Sequence, residues 1–157
     1  MKKSSRIPAL ILLLLLAISF SGCTAKETAA GPDEIVLSFS LDTPDDVYQI
    51  AVEYWAGDVF CGGVAQSHAN GSRFTKNESH SFLFDPSMFP DGIVPESMKI
   101  AVMLSDSLEH LDIDSLAARV GFCDPCETDW FSVSAGTVYH FSLNGSFADG
   151  FSITADA

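Results

Sequence analysis

The sequence predicts an all-β domain, an antiparallel and broadly immunoglobulin-like β-sandwich of seven or eight short strands. Two observations carry this prediction. Apolar and polar residues alternate along several short segments, and this period of two is typical of half-buried strands. Branched and aromatic residues dominate those segments, while turn-forming residues recur between them at intervals of about eight to twelve residues.

The first three strands are predicted in the first half of the domain. Residues 35–41, IVLSFSL, alternate apolar side chains with two serines, and residues 47–55, VYQIAVEYW, repeat the pattern. Residues 58–66 predict a weaker strand. Its Gly62-Gly63 pair predicts a β-bulge, because glycine within a strand often marks such an irregularity.

The remaining strands are predicted from the same alternation, at residues 79–85, 97–105, 130–134, 137–144 and 146–154. Asn144-Gly145 predicts a two-residue turn that closes the last hairpin, since both positions tolerate positive φ. Asn70-Gly71 predicts a second turn of this kind. Trp130, like Trp55 and the phenylalanines, is expected to lie in the core.

One short helix is predicted near residues 107–119. In the segment 105–121, SDSLEHLDIDSLAARVG, leucines recur at near-helical spacing. The acidic residues of the segment would then lie mostly on the opposite, solvent-facing side.

The N-terminal 22 residues have the three zones of an export signal. Lys2, Lys3 and Arg6 precede an apolar run over residues 9–20, and two small residues then lead to Cys23. The run is shorter than the roughly 20 apolar residues that a helix needs to cross a bilayer.

Residues 20–23, FSGC, resemble the bacterial lipobox of lipoproteins. The resemblance implies that residues 1–22 are removed as a signal peptide and that Cys23, diacylated on its sulfur, becomes the new N-terminus. Two acyl chains give stable anchoring, since each buried methylene contributes about 0.8 kcal/mol. Residues 23–33 would form a polar tether, and residues 34–157 a single domain on the extracytoplasmic face of the cell membrane. Cleavage after Ala25, which would give a secreted protein, and an uncleaved anchor helix are the alternatives.

The charge of the chain excludes some classes of partner. Three of the eight basic residues precede Cys23, whereas all 21 acidic residues follow it, which leaves the rest of the chain with a formal charge of −16. Such a surface repels nucleic acids and anionic lipid headgroups. The acidic residues are scattered, which favours a simple role in solubility.

Three cysteines lie within the domain, at Cys61, Cys123 and Cys126. An exported protein meets a non-reducing environment, so a disulfide is expected. Pairing of Cys61 with one of the other two would close a loop of roughly 60 residues and restrict the unfolded chain by about 4 kcal/mol, more than a tight Cys123–Cys126 loop. Either pairing leaves one thiol over.

Two functional interpretations of the C-x-x-C pair are weaker. A thioredoxin-like redox site needs the pair at the start of a helix, whereas the residues after Cys126 predict a strand. A zinc site would need Cys61 together with His68, His110 or His140 as further ligands. No second C-x-x-C supports it. No catalytic residue, metal ligand or cofactor is therefore assigned.

The function predicted from sequence is that of a lipid-anchored extracytoplasmic binding or interaction module, not an enzyme. Its ligand would be a protein or a small molecule at the cell surface, and not a nucleic acid. The alternatives are a thiol–disulfide surface protein that uses Cys123 and Cys126, and a metal-binding lipoprotein.

Overall fold

The computed structural model describes residues 28–76, 78–109, 114 and 118–156. Within this part of the chain there are nine strands and one short 3-10 helix, Pro86–Met88. The strands are β1 (Ile35–Asp42), β2 (Gln49–Ala56), β3 (Val59–Ser67), β4 (Ser79–Phe84), β5 (Ser97–Ser105), β6 (Cys126–Glu127), β7 (Phe131–Ser132), β8 (Thr137–Ser146) and β9 (Gly150–Ala155). No helix of the described residues has the length and hydropathy needed to span a lipid bilayer.

The strands form two sheets, which confirms the predicted all-β sandwich. The first sheet has the order β4-β1-β8-β9, and the second has the order β3-β2-β5-β6, with β7 also paired to β5. All neighbouring strands are antiparallel except β1 and β8, which run parallel. The immunoglobulin fold places its strands in the order ABED and CFG. The likeness to that fold is therefore one of two-layered architecture and not of strand order.

The core lies between the two sheets and is rich in aromatic residues. Phe39 on β1 is fully buried and stacks on Phe141 of the parallel neighbour β8, with ring centroids 5.5 Å apart. Tyr54 on β2 meets Phe84 on β4 edge-to-face at 4.9 Å, which ties one sheet to the other. Alternation in β1 produces this core, because every second side chain of a strand points to the same face.

The predicted bulge in the third strand is confirmed. Tyr54 pairs with Gly62 and Trp55 pairs with Phe60, so Cys61 has no partner residue on β2. Gly62 has a φ of +142°, which L-residues rarely adopt.

The predicted turn of the closing hairpin is wrong in its position. Asn144 and Gly145 lie within β8, and Ser146 pairs with Gly150, so the connection is formed by residues 147–149. Gly145 is needed for a different reason. A Cβ atom at this position would lie 2.2 Å from the carbonyl oxygen of Gly150, so the glycine permits close approach of β9 where the hairpin begins.

The second predicted turn is present, but it does not join paired strands. Gly71 N donates to the carbonyl oxygen of His68 at 2.9 Å, and Gly71 has a φ of +71°. This turn lies between β3 and β4, which belong to different sheets. The helix predicted near residues 107–119 falls largely on residues 110–113 and 115–117, which lie outside the described residues.

Candidate functional site

The structure places Cys123 and Cys126 side by side along β5. Cys126 pairs with Val102, and its thiol donates to the Val102 carbonyl oxygen at 3.3 Å. Cys123 N donates to the Leu104 carbonyl oxygen at 2.9 Å, and the Leu104 N–H donates to the Cys123 sulfur at 3.2 Å. The C-x-x-C segment therefore anchors the chain to the edge of β5.

The predicted long disulfide between Cys61 and this pair is wrong. The three domain cysteines are free thiols. Cys61 lies on β3 and Cys126 on β6, and two strands, β2 and β5, stand between them. Neighbouring strands are about 4.8 Å apart, so roughly 14 Å separates these residues. A disulfide needs Cα atoms within about 7 Å.

The surroundings of the C-x-x-C pair do not favour thiol chemistry. Burial, followed by the proximity of Cys123, raises the pKa of Cys126 to about 11. Burial also raises the pKa of Cys123. The nucleophile of a thiol–disulfide enzyme is the thiolate, which a lowered pKa provides. Cys126 moreover begins a strand, so no helix N-terminus is available at that position to stabilise a thiolate.

The zinc ligands proposed from sequence are not brought together in the described residues. No group of three or more His, Cys, Asp or Glu side chains in that part of the chain is arranged to hold a metal ion. His110 and Cys23 both lie outside the described residues.

A feature that sequence reasoning missed is a second β-bulge, at the edge of β5. Glu127 pairs with Ala101 and Phe131 pairs with Met98. Three residues, 128–130, therefore stand opposite only two residues of β5. Thr128 N donates to the Ile100 carbonyl oxygen at 3.0 Å, and Ile100 N donates to Thr128 Oγ1 at 3.2 Å. This leaves Asp129 and Trp130 together opposite Lys99.

The bulge carries Trp130 out of the core, so the prediction that Trp130 is buried is wrong. A bulge bends its strand and re-aims the side chains there. Trp130 has 48% of its surface exposed, although its neighbour Phe131 packs against the core. The polar run Glu-Thr-Asp directly before Trp130 breaks the strand alternation. It is the sequence signal that could have located the bulge.

Trp130 forms part of the wall of an open cleft of about 760 Å³, which we call the Trp130 cleft. The cleft lies where β6 and β7, at the edge of the second sheet, face β8 and β9 of the first. Its lining residues are Glu127, Thr128, Asp129, Trp130, Phe131, Ser132, Val138, Tyr139, His140, Phe141, Ile153, Ala155 and Asp156. Small-molecule sites occupy about 300–1,000 Å³ and combine apolar walls with a few polar groups. The Trp130 cleft has this size and composition.

Several residues of the cleft lining are held by ring contacts and hydrogen bonds. The rings of Phe131 and Tyr139 lie 5.8 Å apart, and the Tyr139 hydroxyl accepts a hydrogen bond from Ser134 N at 2.8 Å. Ser142 Oγ donates to the Asp156 carboxylate at 2.8 Å. The lining thus contains both aromatic and acidic residues.

Apart from the Trp130 cleft, a cluster of polar side chains lies in the loop after β3. His68 Nδ1 lies 2.7 Å from Ser72 Oγ, and His68 Nε2 lies 2.5 Å from the Glu78 carboxylate. This order of hydroxyl, imidazole and carboxylate has the outline of an activated nucleophile. The nearby backbone donors are already used: Gly71 N donates to the His68 carbonyl oxygen and Ser72 N to Asn70 Oδ1. The cluster is best explained as a network that holds this loop together.

Comparisons with known proteins assign no family to the chain. No family model matches it, and no curated protein matches it. It is similar to a crystal structure of the human-specific toxin intermedilysin (12% identity, 79% of this chain and 24% of that chain, TM-score 0.36). It is also similar to a structure of pneumolysin (11% identity, 83% of this chain and 24% of that chain, TM-score 0.29). The chain spans about a quarter of the length of these proteins. At these TM-scores the similarity supports no conclusion about activity or fold family.

Proposed function

We propose that this protein is a lipid-anchored extracytoplasmic binding module whose ligand occupies the Trp130 cleft. The observation that carries the proposal is the exposed indole of Trp130, lifted by a bulge onto the wall of an open cleft of about 760 Å³. A large aromatic side chain gains free energy when it is removed from water, at roughly 25 cal/mol per Å² of apolar area. Trp130 is therefore available to contribute to binding.

The anchoring half of the proposal depends on residues 20–23 and on the thiol of Cys23. Growth of the producing bacterium with radiolabelled palmitate tests it directly. Wild type and a Cys61→Ala variant should incorporate label equally, whereas Cys23→Ala should lose it. Label retained in Cys23→Ala, or absent from wild type, would contradict the anchor.

Ligand binding in the Trp130 cleft is tested by the NMR signals of the two tryptophan indole groups. The protein has two tryptophans, so ¹⁵N-labelled indole groups give two resolved signals, and a Trp130→Phe variant assigns them. Choline, N-acetylglucosamine and benzoate serve as cationic, neutral and anionic probes. At least one should shift the Trp130 signal saturably while the Trp55 signal stays fixed. If all three leave Trp130 unchanged, the cleft is not a ligand site.

A further inference from the structure

The charges around the Trp130 cleft distinguish between classes of ligand. Its lining residues include Glu127, Asp129 and Asp156, but no lysine or arginine. Lys99, which borders an adjoining pocket together with Asp129 and Trp130, pairs with the Glu127 carboxylate at 2.5 Å and offsets its charge. The Asp156 carboxylate bonds to Ser142, whose side chain lies on the opposite face of β8 from Tyr139 and Phe141. Asp129, exposed beside Trp130, therefore supplies the negative charge at the cleft, in a domain that is itself strongly acidic. Such a field attracts cations and repels anions.

The aromatic residues and the size of the cleft indicate what kind of cation fits. A cation within about 6 Å of an aromatic ring is attracted by the negative face of that ring. Trp130, Phe131 and Tyr139 provide three such rings in the lining. A bare metal ion would leave most of about 760 Å³ unfilled, and no group of three metal-ligating side chains is found in the described part of the chain. The cation must therefore carry an apolar body.

We propose that the Trp130 cleft binds a small organic cation, an alkylated ammonium or guanidinium compound with an apolar body. This inference depends on the proposed function, because it names the ligand class of the same cleft. Trp130 contacts the alkyl groups around the positive charge. Asp129, on the same bulge and exposed, supplies the opposing carboxylate.

The test compares two probes that share a shape and differ in charge. Choline and 3,3-dimethylbutan-1-ol are near-isosteric, and only choline is positive. Each is titrated into the wild-type protein at low salt, with the Trp130 indole signal as the readout. Choline should bind at least tenfold more tightly than the alcohol. Sodium chloride should weaken choline binding and leave that of the alcohol unchanged, because salt screens exposed charges.

A matched pair of variants separates the charge in the cleft from the charge of the whole domain. Asp129→Asn removes one charge at the bulge, and Asp149→Asn removes one charge from the 147–149 connection. Gly150, which follows that connection, is three residues along β9 from Ile153 of the cleft lining, about 10 Å away at strand spacing. Asp129→Asn should weaken choline binding about fivefold and leave the alcohol unaffected, whereas Asp149→Asn should change neither.

Other results of these titrations would contradict the inference, for different reasons. Equal binding of choline and the alcohol, or binding of N-acetylglucosamine alone, would refute a cation site while leaving a ligand site at Trp130. Equal weakening of choline binding by Asp129→Asn and Asp149→Asn would show that the net charge of the domain, and not a carboxylate at the cleft, attracts choline. Tighter binding of a capped Gly-Lys-Gly peptide than of choline would assign the cation to a protein side chain. Failure of every probe would refute the proposed function as well.

Discussion

Replacement of Gly145 by alanine tests the close approach of β8 and β9. Gly145 has a φ of +135°, and a Cβ atom there would lie 2.2 Å from Gly150 O and 2.9 Å from Phe151 Cα. A non-glycine residue in such a conformation costs about 1–3 kcal/mol. Relief of the overlap requires the hairpin to open, which sacrifices one or two ladder hydrogen bonds at about 1 kcal/mol each. The free energy of unfolding should therefore fall by about 2–5 kcal/mol.

The matched control for this substitution is Gly57→Ala. Gly57 also has a positive φ, +54°, but apart from its chain neighbours no heavy atom would lie within 4 Å of a Cβ atom there. Backbone strain alone should therefore cost about 1–2 kcal/mol. Urea unfolding followed by far-ultraviolet circular dichroism measures both variants. With a slope of about 2 kcal/mol per molar urea, Gly145→Ala should lower the midpoint by about 1–2.5 M. A loss equal to that of Gly57→Ala would refute the steric reasoning.

Three further predictions concern the core, a buried histidine and the thiols. Phe39→Ala should lower the free energy of unfolding, measured in urea, by about 3–5 kcal/mol, because Phe39 is fully buried. Phe60→Ala is the control: its site is 55% exposed, so it should cost less than about 1 kcal/mol. Burial lowers the pKa of His80 to about 4, so the folded state binds this proton more weakly than the unfolded state, and stability should fall as pH drops from 6.5 to 4. The urea midpoint should depend less on pH in His80→Phe than in wild type. The same pH dependence in both proteins would contradict this prediction. Iodoacetamide at pH 8 should alkylate Cys61 well before the buried Cys126 in the folded protein, and peptide mass spectrometry that finds Cys126 modified first would contradict its raised pKa.

Strand positions could be predicted from the sequence because alternation reports directly which face of a strand is buried. The segment 97–105 matches β5 at both ends, and 35–41 matches β1 to within one residue. The Gly62-Gly63 pair located the β3 bulge to within one residue. These features depend on local side-chain pattern and backbone conformation, which a short segment contains.

The errors arose where the structure depends on how strands meet. Asn144-Gly145 has the composition of a turn, yet the β8–β9 register carries both residues inside the strand. The disulfide prediction considered loop length alone, whereas the order β3-β2-β5-β6 separates Cys61 from Cys126. Trp130 was assigned to the core although the polar run before it breaks the alternation, because that break alone does not show that three residues face two on β5.

The candidate cleft was beyond sequence reasoning for the same reason. Its walls come from β6 and β7 on one side and from β8 and β9 on the other. Residues 127–132 therefore meet residues 138–141, 153, 155 and 156 only across the two sheets. The acidic character of the chain was visible in composition. Which carboxylates stand beside exposed aromatic rings depends on the bulge and on the packing of the sheets.

The position of a bound probe is the most direct test of a ligand site at Trp130. Nuclear Overhauser effects between the methyl protons of choline and the aromatic protons of the labelled protein report contacts within about 5 Å. The account predicts contacts with the rings of Trp130 and Tyr139, lost in Trp130→Ala. Contacts confined to Trp55 and Phe60, an aromatic pair near the β2–β3 turn, or none at a concentration that shifts the indole signal, would contradict it.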